Sequence, residues 1–243
     1  AMTEEDKTRT AWHEAGHAIL NVLLKNCHPL HKVTIIPRGQ SLGSTMSLPK
    51  EDVLNHHKLQ LLDTICMTMG GRIAEEVYSG DISSGAAGDI QQATKMARAM
   101  VTQFGMSKEL GMIQYGGDNE YVFLGRDMAQ AKDYSEDTAQ LIDEEVKRII
   151  NTAYDRAKQL ITDNRDKVKA IAEALREHET LDASQVEEIV KTGTFNKPNG
   201  GSNNKNGMTG AQASTPTSEN VSDKEPPETD SGLGPNSPAP APA

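Results

Sequence analysis

The sequence predicts a mainly α domain in which a small β-hairpin lies beside the first helix. Apolar residues recur at helical spacing over most of the chain up to residue 195, and only two short segments have the character of strands. From residue 196 onward lie eight of the 11 prolines and few large aliphatic side chains. Such a segment buries too little apolar surface to offset the entropy lost on ordering. We therefore expect one globular domain at residues 1–195 and a disordered tail, rich in Pro, Ser, Asn and Gly, at residues 196–243.

The first helix and the hairpin have clear local signals. The helix should begin at Thr3, because acids fill residues 4–6 and suit the positive end of the helix dipole, and it should run to about residue 25. Residues 33–36 are β-branched and predict a strand. After the turn formers that follow, residues 42–47 should pair back as the second strand of a hairpin.

The remaining elements are predicted as helices. Apolar spacing favours one long helix at residues 51–78, in which Gly70-Gly71 marks close packing or a bend. A loop of small residues at 79–89 and a helix that Gly105 ends should follow. Residues 106–134 have irregular character, with a candidate short strand at Met112-Ile113. Three further helices are expected at residues 135–161, 165–178 and 183–191.

The composition excludes some classes of function. The chain has 243 residues, a net charge of -10 and a pI near 5.2, which argues against nucleic acid as the main partner. No apolar run approaches the roughly 20 residues of a membrane span, so we expect the chain itself to be soluble. Because Ala1 and Met2 lead directly into a helix, we also expect a fragment of a longer protein. Cys27 and Cys66 lack the spacing of a disulfide framework and fit core positions in a reducing compartment.

The most informative segment is His13-Glu14-Ala15-Gly16-His17. Two histidines four residues apart lie on one face of a helix, so both imidazoles can reach one ion, and imidazole nitrogens suit Zn²⁺. Glu14 lies where a carboxylate can act as general base on a water held by that ion. The segment interrupts an apolar helix, in which unpartnered His and Glu side chains would be costly to bury. These residues predict a metal-activated water for peptide-bond hydrolysis.

The spacing leaves the third ligand open. Leu20 and Leu23 stand three and six residues after the second histidine, where metzincins carry Gly and His, so that class is excluded. One remaining candidate is Glu75 or Glu76, which would make a His₂Glu site. The other is Asp89, at a predicted junction between loop and helix. An acid on a helix face or at a helix start also has ordinary roles, in solvation or capping.

Six segments occur in an order that resembles a known family. They are His13-Glu14-Ala15-Gly16-His17-Ala18, Val33-Thr34-Ile35-Ile36-Pro37-Arg38-Gly39, Leu42-Gly43-Ser44-Thr45, Gly70-Gly71-Arg72-Ile73-Ala74-Glu75-Glu76, Ser83-Ser84-Gly85-Ala86-Ala87-Gly88-Asp89-Ile90 and Val122-Phe123-Leu124-Gly125-Arg126. Together they resemble the peptidase domain of the FtsH family, the membrane-anchored ATP-dependent zinc metalloproteases. The resemblance covers about residues 8–190.

The resemblance implies roles and partners that spacing alone does not give. It makes Asp89 the third zinc ligand beside His13 and His17, keeps Glu14 as the base, and leaves Glu75 and Glu76 in a supporting role. It also implies a homo-hexamer on the cytoplasmic face of the cell inner membrane, with an AAA ATPase ring that feeds unfolded or membrane proteins to the peptidase. The chain carries no G-x-x-x-x-G-K-[ST] loop, so ATP would bind only to a module of the full-length protein.

The predicted function is therefore a zinc-dependent endopeptidase that hydrolyses unfolded polypeptides. The second hairpin strand would bind substrate as an added strand through main-chain hydrogen bonds. Its substrate-binding residues would be Leu42, Gly43, Ser44 and Thr45. Two alternatives remain: a non-catalytic oligomerisation scaffold with structural zinc, and a self-contained His₂Glu metallopeptidase.

Overall fold

The computed structural model describes residues 3–39, 42–49, 55–116 and 134–195, and it confirms the mainly α fold. The helices are α1 (Glu4–Leu23), α2 (Lys58–Thr68), α3 (Gly70–Ser79), α4 (Ala87–Thr102), α5 (Glu136–Asp163), α6 (Arg165–His178) and α7 (Ala183–Thr192), with a short 3₁₀ turn at Ser84–Ala86. The strands are β1 (Leu30–Thr34), β2 (Ser44–Ser47) and β3 (Thr180–Asp182). The predicted tail, residues 122–126 and the first four residues of the helix predicted at 51–78 lie outside the described residues. Within those residues, no helix combines the length and the hydropathy that a bilayer crossing requires.

The sheet has the strand order β2-β1-β3, and both pairings are antiparallel. The predicted hairpin is confirmed, since Val33 of β1 lies opposite Thr45 of β2, although the first strand is Leu30–Thr34 and not residues 33–36. β3 was not predicted: it is only three residues long, too short to show alternation, but it places the fully buried Leu181 opposite Val33 on the other side of β1. Among the described strands, β2 therefore lies at an edge of the sheet.

Helix α1 is the centre of the domain. Thr3 and Asp6 form a capping box at its start, in which each side chain binds the other residue's backbone N–H. It packs most extensively against α3 and α6, and Ile19 and Leu20 are fully buried between its neighbours. The sheet lies beside the same helix, with both β1 and β2 in contact with it. The histidine motif is thus part of the best-packed element of the fold.

The prediction of one helix over residues 51–78 is wrong. Residues 55–57 are not helical, and the helix is divided at Met69, which ends α2 and precedes α3. The division accompanies a close approach between helices. A Cβ on Gly70 would lie 2.5 Å from the carbonyl oxygen of Gly16, and a Cβ on Gly16 would overlap the backbone of Gly70. Two glycines therefore let α1 and α3 touch backbone to backbone directly after the break at Met69.

Two other predictions need correction around α4. This helix ends at Thr102, three residues before the glycine expected to end it. Gly105 instead takes a positive φ of 59° in the following loop, a conformation that costs glycine little. The candidate strand at Met112-Ile113 does not form, and both side chains are exposed. Two apolar residues do not form a stable strand unless a neighbouring strand pairs with them. The three predicted C-terminal helices agree with α5, α6 and α7 to within two residues at each end.

Candidate metal centre and active-site cleft

The two motif histidines point their Nε2 atoms at each other from one face of α1. The Nε2 atoms of His13 and His17 are 3.1 Å apart, and the rings meet edge to face. This is the geometry that a spacing of four residues on a helix predicts. Both side chains are largely buried. The helix therefore brings the Nε2 atoms of His13 and His17 close enough to bind the same ion.

Asp89 completes the cluster from a second helix. It is the third residue of α4, not a loop residue, and its Oδ2 atom lies 3.3 Å from His13 Nε2 and 3.4 Å from His17 Nε2. The loop of small residues and the 3₁₀ turn before α4 bring the start of this helix to the motif. Among the described residues, these three are the group of His, Cys, Asp or Glu able to hold a metal ion.

The separations of the three atoms fit a tetrahedral zinc site. Two ligands bonded to zinc at about 2.0–2.1 Å with tetrahedral angles lie about 3.3 Å apart. The nitrogen–nitrogen separation is 3.1 Å and the two nitrogen–oxygen separations are 3.3 and 3.4 Å. Two imidazoles and one carboxylate are also the type of donor set found in catalytic zinc sites, which keep one further position for water or substrate. The residues present therefore fit the metal.

Acceptors on the far side of each ring fix the tautomers. His13 Nδ1 lies 2.7 Å from Oε1 of Glu75, and His17 Nδ1 lies 3.0 Å from the carbonyl oxygen of Met67. A carboxylate or carbonyl oxygen only accepts, so Nδ1 donates in both rings. In the neutral histidine, the lone pair is then on Nε2, which faces Asp89. A carboxylate or carbonyl behind a ligating histidine commonly orients the ring in this way.

The structure separates the two predicted supporting acids. The Glu75 side chain is 3% exposed, and besides His13 it accepts a hydrogen bond from the backbone N–H of Ser83. Glu76 faces away and accepts hydrogen bonds from Tyr154 and Lys158. Glu75 thus contacts a candidate ligand, whereas Glu76 lies outside the site. Neither acid is brought into the cluster as a third ligand.

The electrostatics of the cluster favour a bound cation. Burial lowers the pKa of His13, but hydrogen bonds to Asp89 and Glu75 outweigh it and raise this pKa to about 9. Burial raises the pKa of Asp89, but its hydrogen bonds with His13 and His17 hold it well below its usual range. The pKa of Glu75 is likewise lowered despite burial, by its bond with His13. The carboxylates of Asp89 and Glu75 therefore both stay ionised near neutral pH beside the histidine pair.

Glu14 lies beside this cluster and lines two clefts that share several of their lining residues. It is 6% exposed, and its Oε2 atom accepts a hydrogen bond of 2.6 Å from the hydroxyl of Thr45 on β2. One cleft, of about 340 Å³, is lined by Glu14 together with Leu42 and Gly43. The other, of about 630 Å³, is lined by Glu14 with Gly43, Ser44 and Thr45. All four predicted substrate-binding residues therefore line space next to the candidate base.

Two site residues were missed from sequence. A Cβ on Gly71 would lie 2.5 Å from His13 Nε2 and 2.6 Å from His17 Nε2, so only glycine lets α3 pass this close to the two ring nitrogens that face Asp89. The glycine pair at 70–71 indicates close packing or a bend in the helix, but it does not identify the residues that lie against it. Met67 contributes through its backbone carbonyl, and a backbone group leaves no signal in residue type.

Comparisons with known proteins agree with this geometry. A family model described as Peptidase family M41 matches residues 1–189. The chain is 58% identical over 198 residues to ATP-dependent zinc metalloprotease FtsH 2 of Methylacidiphilum infernorum, covering 82% of this chain and 31% of that protein. It is 54% identical over 196 residues to FtsH of Myxococcus xanthus, covering 81% and 31%, and 43% identical over 223 residues to FtsH of Bacillus subtilis, covering 91% and 35%. The chain thus spans about a third of the length of these curated relatives.

The family match covers the elements that build the cluster. It extends from α1 through α3 and α4 into α7, so the histidine pair, the acid behind His13 and the start of α4 all fall inside it. Together with the ordered motifs and the convergent donor atoms, this match means that the chain belongs to peptidase family M41.

Proposed function

We propose that residues 1–195 form the zinc-dependent endopeptidase domain of a larger ATP-dependent protease. The observation that carries this proposal is the convergence of His13, His17 and Asp89 next to Glu14 at an open cleft. Zinc held by these three residues would polarise a scissile carbonyl and acidify a water molecule.

The chain's own groups account for the proton movements. Glu14 brings a carboxylate to the edge of the cleft, so it takes a proton from the attacking water and delivers it to the leaving amine. Glu75 and the carbonyl of Met67 hold the imidazoles in the tautomer that presents Nε2. The two clefts that Glu14 lines would receive the substrate next to the base.

The edge position of β2 supports binding of unfolded polypeptides. One side of β2 pairs with β1, and among the described strands none pairs with the other side. An extended substrate can add to such an edge through main-chain hydrogen bonds, which are indifferent to sequence. Folded proteins rarely expose such segments, because opening a domain costs about 5–15 kcal/mol. The substrates proposed are therefore unfolded or membrane proteins.

The larger assembly is proposed from the relatives. Their names describe ATP-dependent zinc metalloproteases, and this chain corresponds to about a third of each. By this likeness the full protein is a membrane-anchored homo-hexamer at the cytoplasmic face of the inner membrane, with ATP bound by a separate module of that protein. The purified chain should then cleave an unfolded domain faster than its folded form, and ATP should not change either rate.

The alternatives are less consistent with the geometry. A structural zinc site has no need of a buried carboxylate beside a cleft, yet Glu14 is placed there. A His₂Glu site requires a glutamate among the ligands, but Glu75 is bound to the Nδ1 atom of His13, on the far side of the ring from Nε2.

Substitution of the base tests the proposal. Glu14→Gln should retain zinc and the thermal midpoint but slow casein cleavage by about 10²–10⁴-fold, because the amide cannot take the proton. Glu144→Gln, the same change on the exposed face of α5, is the control and should leave cleavage unchanged. Cleavage by Glu14→Gln within a few-fold of the parent, at equal zinc content, would remove Glu14 from the mechanism.

A further inference from the structure

The carboxylate of Glu14 is held on two sides by β2 and the residue before it. On one side the Thr45 hydroxyl lies 2.6 Å from Oε2, and because an ionised carboxylate only accepts, the hydroxyl donates. On the other side Gly43 is so close that a Cβ there would lie 2.7 Å from Oε1 and 2.8 Å from Cγ. A terminal carboxylate torsion has a broad, roughly two-fold preference, so the side chain alone does not fix it. Its orientation must come from these neighbours.

We propose that Thr45 is a positioning residue for the base: its hydroxyl, with the backbone of Gly43 opposite, sets the rotation of the Glu14 carboxylate toward the cleft. The inference rests on the proposed peptidase function and deepens it. It gives the side chain of Thr45 a different role from the substrate contact expected from sequence. The backbone of β2 remains available to align a substrate, while the side chain acts inside the enzyme.

The strand is fixed on α1 in a way that makes this contact reproducible. Side chains alternate along a strand, so Thr45 and Ser47 share a face, and that face meets α1. The side-chain amide of Asn21 donates to Ser47 Oγ at 2.8 Å. Glu14 and Asn21 are seven residues apart and therefore lie on one side of the helix. The hydrogen bonds Thr45–Glu14 and Asn21–Ser47 therefore fix the register of β2 against α1, the helix that carries the base.

The hydroxyl has a second acceptor within reach, and the two can be ranked. Thr45 Oγ1 lies 3.3 Å from the backbone carbonyl oxygen of Glu14, against 2.6 Å from the carboxylate. A hydroxyl donates one hydrogen, and bonds to a charged acceptor are shorter and roughly twice as strong as those between neutral groups. The carboxylate is therefore the preferred acceptor. With either acceptor the hydroxyl links β2 to Glu14, but only the bond to the carboxylate orients that carboxylate.

The test compares Thr45→Val, which keeps the shape and removes the donor, with Thr45→Ser, which keeps the donor. We expect Thr45→Val to lower kcat for an unfolded substrate by about 10- to 100-fold with KM and zinc content unchanged, as for a misplaced catalytic group. Thr45→Ser should stay within about threefold of the parent. Thr152→Val, on an exposed face of α5 where the hydroxyl binds its own helix, is the control for the chemistry of the change.

A double variant separates this inference from the proposed function. If Thr45 acts through Glu14, Thr45→Val should cost nothing further in a Glu14→Gln background, whereas independent roles would add. Three results would overturn the inference: an unchanged kcat for Thr45→Val, a rise in KM alone, or equal losses for Thr45→Ser and Thr45→Val. If the parent shows no Glu14-dependent cleavage, the proposed function fails instead. Crystal structures of the parent and Thr45→Val then decide the inference, since an unrotated Glu14 carboxylate in the variant would contradict it.

Discussion

Replacing Glu75 with glutamine should weaken zinc binding although it removes no ligand. The Glu75 carboxylate is 3% exposed and accepts two hydrogen bonds, at 2.7 Å from His13 Nδ1 and at 3.2 Å from the backbone N–H of Ser83. Glutamine offers one oxygen and one NH₂ group, so it can accept only one of these bonds and directs its own donors at the other N–H. Loss of an acceptor behind a ligating histidine typically costs about 10- to 100-fold in metal affinity, or about 1.4–2.8 kcal/mol.

The measurement is a competition titration of the metal-free chain with zinc and a chelator of known affinity at constant pH. Glu76→Gln is the matched control, because it makes the same change one residue away, where the carboxylate binds Tyr154 and Lys158 instead. It should leave the affinity unchanged. Asp89→Asn should weaken binding more than Glu75→Gln, because it replaces a charged ligand oxygen by a weaker amide.

Two outcomes would refute this reasoning. Equal affinities for the parent and Glu75→Gln would mean that the bond to His13 Nδ1 does not orient the ring. A larger loss for Glu75→Gln than for Asp89→Asn would make Glu75 the third ligand, and the His₂Glu alternative would then replace the proposed ligand set.

Other perturbations give further checks. Gly71→Ala should lower zinc affinity by at least about tenfold in the same titration, since its Cβ would press on both histidines, whereas Gly88→Ala, where a Cβ meets open space, should not. Arg148 and Ser107 bind the buried carboxylate of Glu145 and lower its pKa from 4.5 to about 2. The stability this contributes is present above about pH 4.5 and is lost toward pH 2, so the thermal midpoints of the parent and Glu145→Gln should converge over that range. Deleting residues 196–243 should leave the thermal midpoint unchanged, because that segment has few apolar side chains to bury; a clear drop would show that it stabilises the domain.

The part of the site carried by one helix could be predicted from sequence. His13, Glu14 and His17 are placed by helical geometry alone, and α1 is well defined by its cap and its apolar residues. The position of Asp89 could not be predicted in this way, because it depends on where α4 begins relative to α1. Spacing left Glu75, Glu76 and Asp89 open, and only the family resemblance chose among them.

The misplaced elements have related causes. Gly70-Gly71 left close packing and a bend open, and apolar spacing continues across Met69, so the sequence does not place the helix break; the contact between Gly16 and Gly70 beside it joins residues far apart in sequence. β3 was missed because its pairing with β1 is likewise set by tertiary structure. Local sequence patterns predict the elements whose stability is local. They fail for elements whose position depends on contacts with residues far away in the sequence.

The division of the proposed ligands between two helices has a consequence for local stability. His13 and His17 belong to α1, which is locked to α3 by glycine contact, whereas Asp89 belongs to α4 and follows a loop of small residues. A bound ion would therefore cross-link the start of α4 to α1, and its binding free energy would add to the cost of opening that segment. Chelation should accelerate amide hydrogen exchange at the first turn of α4 and in the preceding loop, and leave exchange in the middle of α1 unchanged.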